Sequence, residues 1–236
     1  MKRIHIMLLL LLQCVAAGSA SAHAVWLETT ATGVKGKAQL VKVFYGEYEE
    51  GELEKTNDWY ADLAQLELQL IQPDQSTVKV PLKDMGTHLE GFFTPQETGT
   101  YLLFTQHIAR DLYEKSRYQF NAFVGVQVGT KVNTLAPLDI YGLQITGSSA
   151  VKEGQELHVS LLKNTYPCAN QEVTIMAPDG WVKKMQTDAE GNLSFTAKNK
   201  GTYVLEYSRR VEATGLWGDK PFDETWHTVS ASIAIR

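Results

Sequence analysis

Turn-forming residues interrupt this chain about every 8 to 12 positions, and the runs between them are rich in Val, Thr, Tyr, Leu and Phe. Segments that short cannot bury an amphipathic helix, so the spacing predicts antiparallel strands packed as sandwiches. The alternation supports this. In 155–161, Leu157, Val159 and Leu161 share one face and His158 points off it; in 226–235, Val229, Ala231, Ile233 and Ile235 share a face with His227, while Thr228, Ser230 and Ser232 point away. The best helical candidate is 56–68, with Trp59, Leu63 and Leu66, although its second half reads equally well as a strand over 66–70.

A short motif occurs twice. Gly99-Thr100-Tyr101-Leu102-Leu103-Phe104 returns as Gly201-Thr202-Tyr203-Val204-Leu205-Glu206, and each copy leads through a polar stretch into a final alternating run, 120–128 and 227–235. Duplication of one plan predicts two sandwich domains, 23–134 and 135–236, separated where alternation stops near Asn133 and Pro137. Each is large enough to fold on a core of its own. In 187–195, Asp188 and Gly191 carry the chemistry of a tight hairpin turn before Leu193 and Phe195.

Residues 1–22 read as a secretory signal: Lys2 and Arg3, an apolar run from Ile6 to Val15, and Ala20-Ser21-Ala22 as the cleavage site. The expected location is therefore the periplasm. Without those residues, 20 basic side chains face 27 acidic ones, a net charge of −7 that argues against nucleic acid as a partner. Only Cys168 remains of two cysteines, so no internal disulfide can form, and an unpaired cysteine is expected to behave as a small buried hydrophobe. Cleavage after Ala22 makes His23 the first residue, whose freed α-amine and imidazole Nδ1 can close a chelate ring on a divalent transition metal.

The start His23-Ala24-Val25-Trp26-Leu27-Glu28, followed in order by Ala136-Pro137-Leu138-Asp139-Ile140, Pro167-Cys168-Ala169-Asn170, the Asp188 hairpin and Gly201-Thr202-Tyr203, resembles a group of exported bacterial proteins of unknown function associated with nickel and cobalt uptake. The resemblance implies an all-β protein of two immunoglobulin-like or prealbumin-like sandwich domains in the periplasm, with nickel or cobalt as the ion; affinity order makes copper the alternative. A membrane transporter or outer-membrane receptor is the expected partner. The resemblance supplies no ligand set. Periodicity sorts the other histidines: His107 and His227 stand at strand ends where loops gather, His88 lies in a turn, and His158 points off a strand face. The expected metal ligands are thus His23, His107 and His227, in a binding protein rather than an enzyme. The alternatives are a copper histidine brace for oxidative chemistry, and a metal-free module serving a receptor or polysaccharide. The acidic segment 47–54 reads as a solvated charge run, and the tryptophans mainly as core. No nucleophile elbow or phosphate loop is present.

Overall fold

A computed structural model describes residues 23–133, 138–146 and 151–236. The expected signal sequence, residues 1–22, and the expected boundary between 134 and 135 lie outside these residues. The first half contains β1 (Ala24–Glu28), β2 (Thr32–Gly33), β3 (Gln39–Glu47), β4 (Glu52–Leu53), β5 (Leu68–Ile71), β6 (Thr77–Val80), β7 (Leu82–Asp84), β8 (Leu89–Phe93), β9 (Gly99–Ile108) and β10 (Ser116–Val128). The second contains β11 (Tyr141–Thr146), β12 (Glu156–Lys163), β13 (Tyr166–Pro167), β14 (Glu172–Met176), β15 (Val182–Gln186), β16 (Asn192–Thr196), β17 (Gly201–Trp217) and β18 (Lys220–Ile235). The chain is all-β and built from sandwiches. The helical candidate forms only two 3-10 turns, Thr56–Asp58 and Leu63–Gln65, before β5 begins. Each turn is too short to sustain a helix, and together they serve to seat Trp59 and Leu63 in the first core.

The strands are shared differently from two self-contained domains. One central sheet runs β15-β14-β17-β18-β10-β9-β5-β6, so a block of second-half strands and a block of first-half strands join edge to edge within it. The joint is a parallel pairing of β10 with β18, from Ser116 opposite Glu224 to Val124 opposite Ser232. The β1-β3-β8-β7 sheet covers one face around Leu27, Val41, Leu103 and Val126. The sheet of β11, β12, β13 and β16 covers the other around Leu157, Leu161, Ile175 and Tyr203. Ile71, Phe104 and Phe123 of the first half pack into that second core.

This arrangement changes the fate of one set of side chains. Val229, Ala231 and Ile235 face the second core as the alternation predicts. Thr228, Ser230 and Ser232 point away from it, yet they are buried rather than solvated. The strand β1 lies over them: Ser230 Oγ donates to the Val25 carbonyl at 2.6 Å, and Ser232 Oγ donates to the Leu27 carbonyl. Small hydroxyls let β1 approach closely while remaining hydrogen-bonded, which burial demands.

The duplicated motif is a duplicated structure. Tyr101 Oη donates to the Glu97 carbonyl at 3.1 Å and accepts from the Glu97 amide at 3.0 Å; Tyr203 Oη accepts from the Asn199 amide at 3.0 Å. Both rings are buried, forming the tyrosine corner typical of immunoglobulin-like sandwiches. Gly99 and Gly201 open the two strands at φ 149° and 125°, and a side chain at either would collide with Pro73 or Pro178.

Candidate metal centre

The pairing of β1 with β3, Ala24 opposite Gly46, carries His23 to the level of Glu47. Gly46 has φ 149°, and a side chain there would strike the Glu52 carbonyl, so only glycine lets the acidic segment fold back on β3. The return is held by Glu54, whose amide donates to the Tyr45 carbonyl at 3.0 Å and whose carbonyl accepts from Trp59 Nε1 at 3.1 Å. The two ends of the segment thereby bracket the imidazole. Glu47 Oε1 stands 3.2 Å from His23 Nδ1, Glu54 Oε1 stands 3.0 Å from Nε2, and the ring packs on Tyr45 at 5.3 Å between centroids. Burial, with Glu54 next in effect, pushes the Tyr45 phenol far above its ordinary value, so it stays neutral. Residues 49–53 remain exposed, as a charge run should, but Glu47 and Glu54 do not.

The three expected ligands are not brought together. His107 alternates down β9 with Tyr101 and Leu103, on the face of the first core, and its Nε2 is bonded to Asp62 Oδ1 at 2.9 Å. Burial tends to raise the Asp62 carboxyl, but the bonds from His107 and from the Arg110 amide outweigh it and leave it below the usual range. This pair ties β9 to the turn that seats Leu63. His227 belongs to the opposite face, with Val229 and Ala231, its ring edge-on to Tyr141 at 5.1 Å. Burial lowers its pKa to about 4, and Lys163, Arg117 and Arg209 act in the same direction. Three cations around one imidazole repel a metal ion. His107 and His227 are therefore corrected as ligands: alternation located each on its strand without revealing that the shared sheet turns them to opposite sides.

His88 is also committed elsewhere, its Nε2 bonded to Glu90 at 2.9 Å and its ring stacked on Phe44 at 5.1 Å. His158 lies on the exposed face of β12, opposite Ser194. Cys168 is half-buried against the second core, and burial pushes its thiol up, as expected of an inert cysteine. Between β9, β10 and β11 lies a cavity of about 380 Å³ lined by Phe123, Leu143, Gln144 and Ile233 among others; among the described residues no charged side chain lines it.

Side chains alone do not close a metal site. Among the described residues, no three His, Cys, Asp or Glu groups converge on a point fit for an ion. At His23 the reason is visible: the two carboxylates sit at opposite edges of the ring. If Nε2–H donates to Glu54, then Nδ1 and Glu47 Oε1 are two acceptors facing each other, a contact that needs a proton or a cation between them. Freeing the α-amine of residue 23 would add a third donor on that same edge. One imidazole nitrogen, one amine and one carboxylate fit a divalent transition ion better than magnesium or calcium.

Residues 20–211 match a family described as "Domain of unknown function (DUF4198)". The chain belongs to this family. Its members' shared region thus includes the His23 strand, the acidic return and most of β17, but stops short of β18. No curated protein matches the chain. Among solved structures, one described as "Marsupial T cell receptor" is similar at 10% identity over 88% of this chain and 73% of that one, with a TM-score of 0.25, too low to support any inference.

Proposed function

We propose that the exported chain is a periplasmic binding protein for a divalent transition metal, with nickel or cobalt as cargo, and that the export cut after Ala22 completes its site. The α-amine and Nδ1 of His23 and the Glu47 carboxylate are the donors, and Glu54 orients the ring through Nε2. A membrane transporter or outer-membrane receptor would take the ion onward. The observation that carries the reading is the placement of Glu47 and Glu54 at the two ring nitrogens, at 3.2 and 3.0 Å. The choice of nickel or cobalt over copper rests on the sequence resemblance alone, because copper binds such donors more tightly by affinity order. A copper brace needs a second histidine, whereas the side chains bonded to His23 are carboxylates. A binding role is therefore favoured over oxidative catalysis.

The test compares protein beginning at His23 with protein carrying one extra residue before it, by calorimetric titration of Ni(II), Co(II) and Cu(II). The added residue and Glu47→Gln should each weaken binding about tenfold or more, since each removes a donor. His107→Ala and His227→Ala should leave it unchanged. Equal affinity for the extended and authentic proteins would overturn the site.

A further inference from the structure

We propose that the open end of the second sandwich binds a small, multiply charged oxyanion of the phosphate or sulfate class, held by Lys163, Arg209 and Arg117 around His227. Strand register assembles the group. Arg209 stands directly across β17–β18 from His227, and on the other side Gln119 of β10 does the same, with Arg117 two residues earlier opposite Thr225. In-register residues of neighbouring strands share a face, so Arg117, His227 and Arg209 project toward the covering sheet. From that sheet, Tyr141 meets the imidazole, and Lys163, its partner in the β11–β12 ladder, places Nζ 5.2 Å from the Tyr141 ring centre.

Three cations so gathered normally carry counter-charges. Neighbouring Arg210 pairs with Glu224 at 2.8 Å, but among the described residues Lys163, Arg209 and Arg117 form no ion pair. Two nitrogens at the same place also lack partners: the Arg117 Nε–H donor and the His227 ring nitrogen Nδ1 are buried and make no hydrogen bond. A buried, unsatisfied donor on a charged group is costly, and such exceptions call for a partner. Arg117 is already positioned, its terminal nitrogen donating to Thr225 Oγ1 at 3.0 Å and its guanidinium lying 4.5 Å over Phe222. Lys163 and Arg209 are exposed, which leaves the cluster open to an entering ligand. Three positive charges without a carboxylate favour a dianion over a singly charged ion, and guanidinium groups match the oxygen spacing of phosphate and sulfate.

The experiment is a nuclear magnetic resonance titration of the full mature chain with inorganic phosphate, sulfate and glycerol phosphate, against chloride at matched ionic strength. Saturable shifts of the His227 ring and the Arg117 Nε–H signal are expected for the dianions and not for chloride. Arg209→Gln and Lys163→Gln change exposed side chains and should keep the fold, yet weaken binding about tenfold each, the loss of one charge-assisted contact. Arg210→Gln should have no effect. Tighter binding of glycerol phosphate than of phosphate would identify the ligand as the end group of a larger molecule, and equal binding a free ion. Shifts that are absent, unsaturable or equal with chloride, or affinity unchanged by Arg209→Gln, would overturn the proposal.

Discussion

The folded chain keeps His227 neutral down to a pKa of about 4, whereas an unfolded histidine titrates near 6.5. Protonation therefore favours the unfolded state between those values. The stability linked to this residue is fully present above about pH 6.5 and is lost as pH falls toward 4. By pH 5 the full shift would remove about 2 kcal/mol, and about 1 kcal/mol remains after allowing for solvent reaching a half-buried ring. Glu206 works against it: burial raises its carboxyl from 4.5 to about 7, so its contribution is present at low pH and is lost as pH rises through that same window. The wild-type pH profile should accordingly be flatter than either group alone dictates. His227→Gln removes one of the two opposing slopes. Urea unfolding at pH 7.5 and 5.0 should show the variant gaining about 1 kcal/mol on the wild type at the lower pH, about 0.4 M in midpoint. Parallel pH profiles for wild type and His227→Gln would refute the claim that the ring is held neutral by its burial and its cationic neighbours.

Glu206→Gln should stabilise the protein above pH 7 by about 1 kcal/mol and do little at pH 4.5, measured in the same unfolding assay. Tyr203→Phe leaves the Asn199 amide without its acceptor and should lower the melting temperature by about 2–4 °C, a loss near 1 kcal/mol; Tyr101→Phe should do the same at Glu97. A fragment of residues 135–236 strips β18 of β10 and the second core of Ile71, Phe104 and Phe123, so calorimetry should show a lower or broader transition than the full chain. An equally sharp transition at the full-chain temperature would restore two autonomous domains.

What could be read in the sequence was local. The alternation of Leu157, Val159 and Leu161, the paired Gly-Thr-Tyr motifs and the Asp188 turn each depend on neighbours along one strand. In that turn, Asp188 Oδ1 accepts from the Glu190 and Asn192 amides and Gly191 takes φ 74°. What escaped depends on pairing between distant strands. Alternation says that Ser230 opposes Val229, but not that β1 will cover it. It places His107 and His227 at strand ends, whereas β18 begins at Lys220 and carries His227 in its interior, and it does not show that the two lie on opposite sides of a common sheet. Glu47 and Glu54 read as part of a solvated acidic run, because only the β1–β3 register and the fold-back at Gly46 bring them to His23.

The placement of β18 has a consequence for how the chain reaches its native state. Its hydroxyls close onto β1 across separations of 205 residues, and its backbone fills the gap between β10 and β17. Until that strand arrives, both neighbours present unpaired edges, and the carbonyls of Val25 and Leu27 lack the hydroxyls that meet them. Contacts so remote in sequence make folding slow and leave sticky edges exposed while the chain folds. The vulnerable interval is therefore the one before β18 docks, when a holding factor that shields β10 and β17 would matter more to yield than any contact in the finished core.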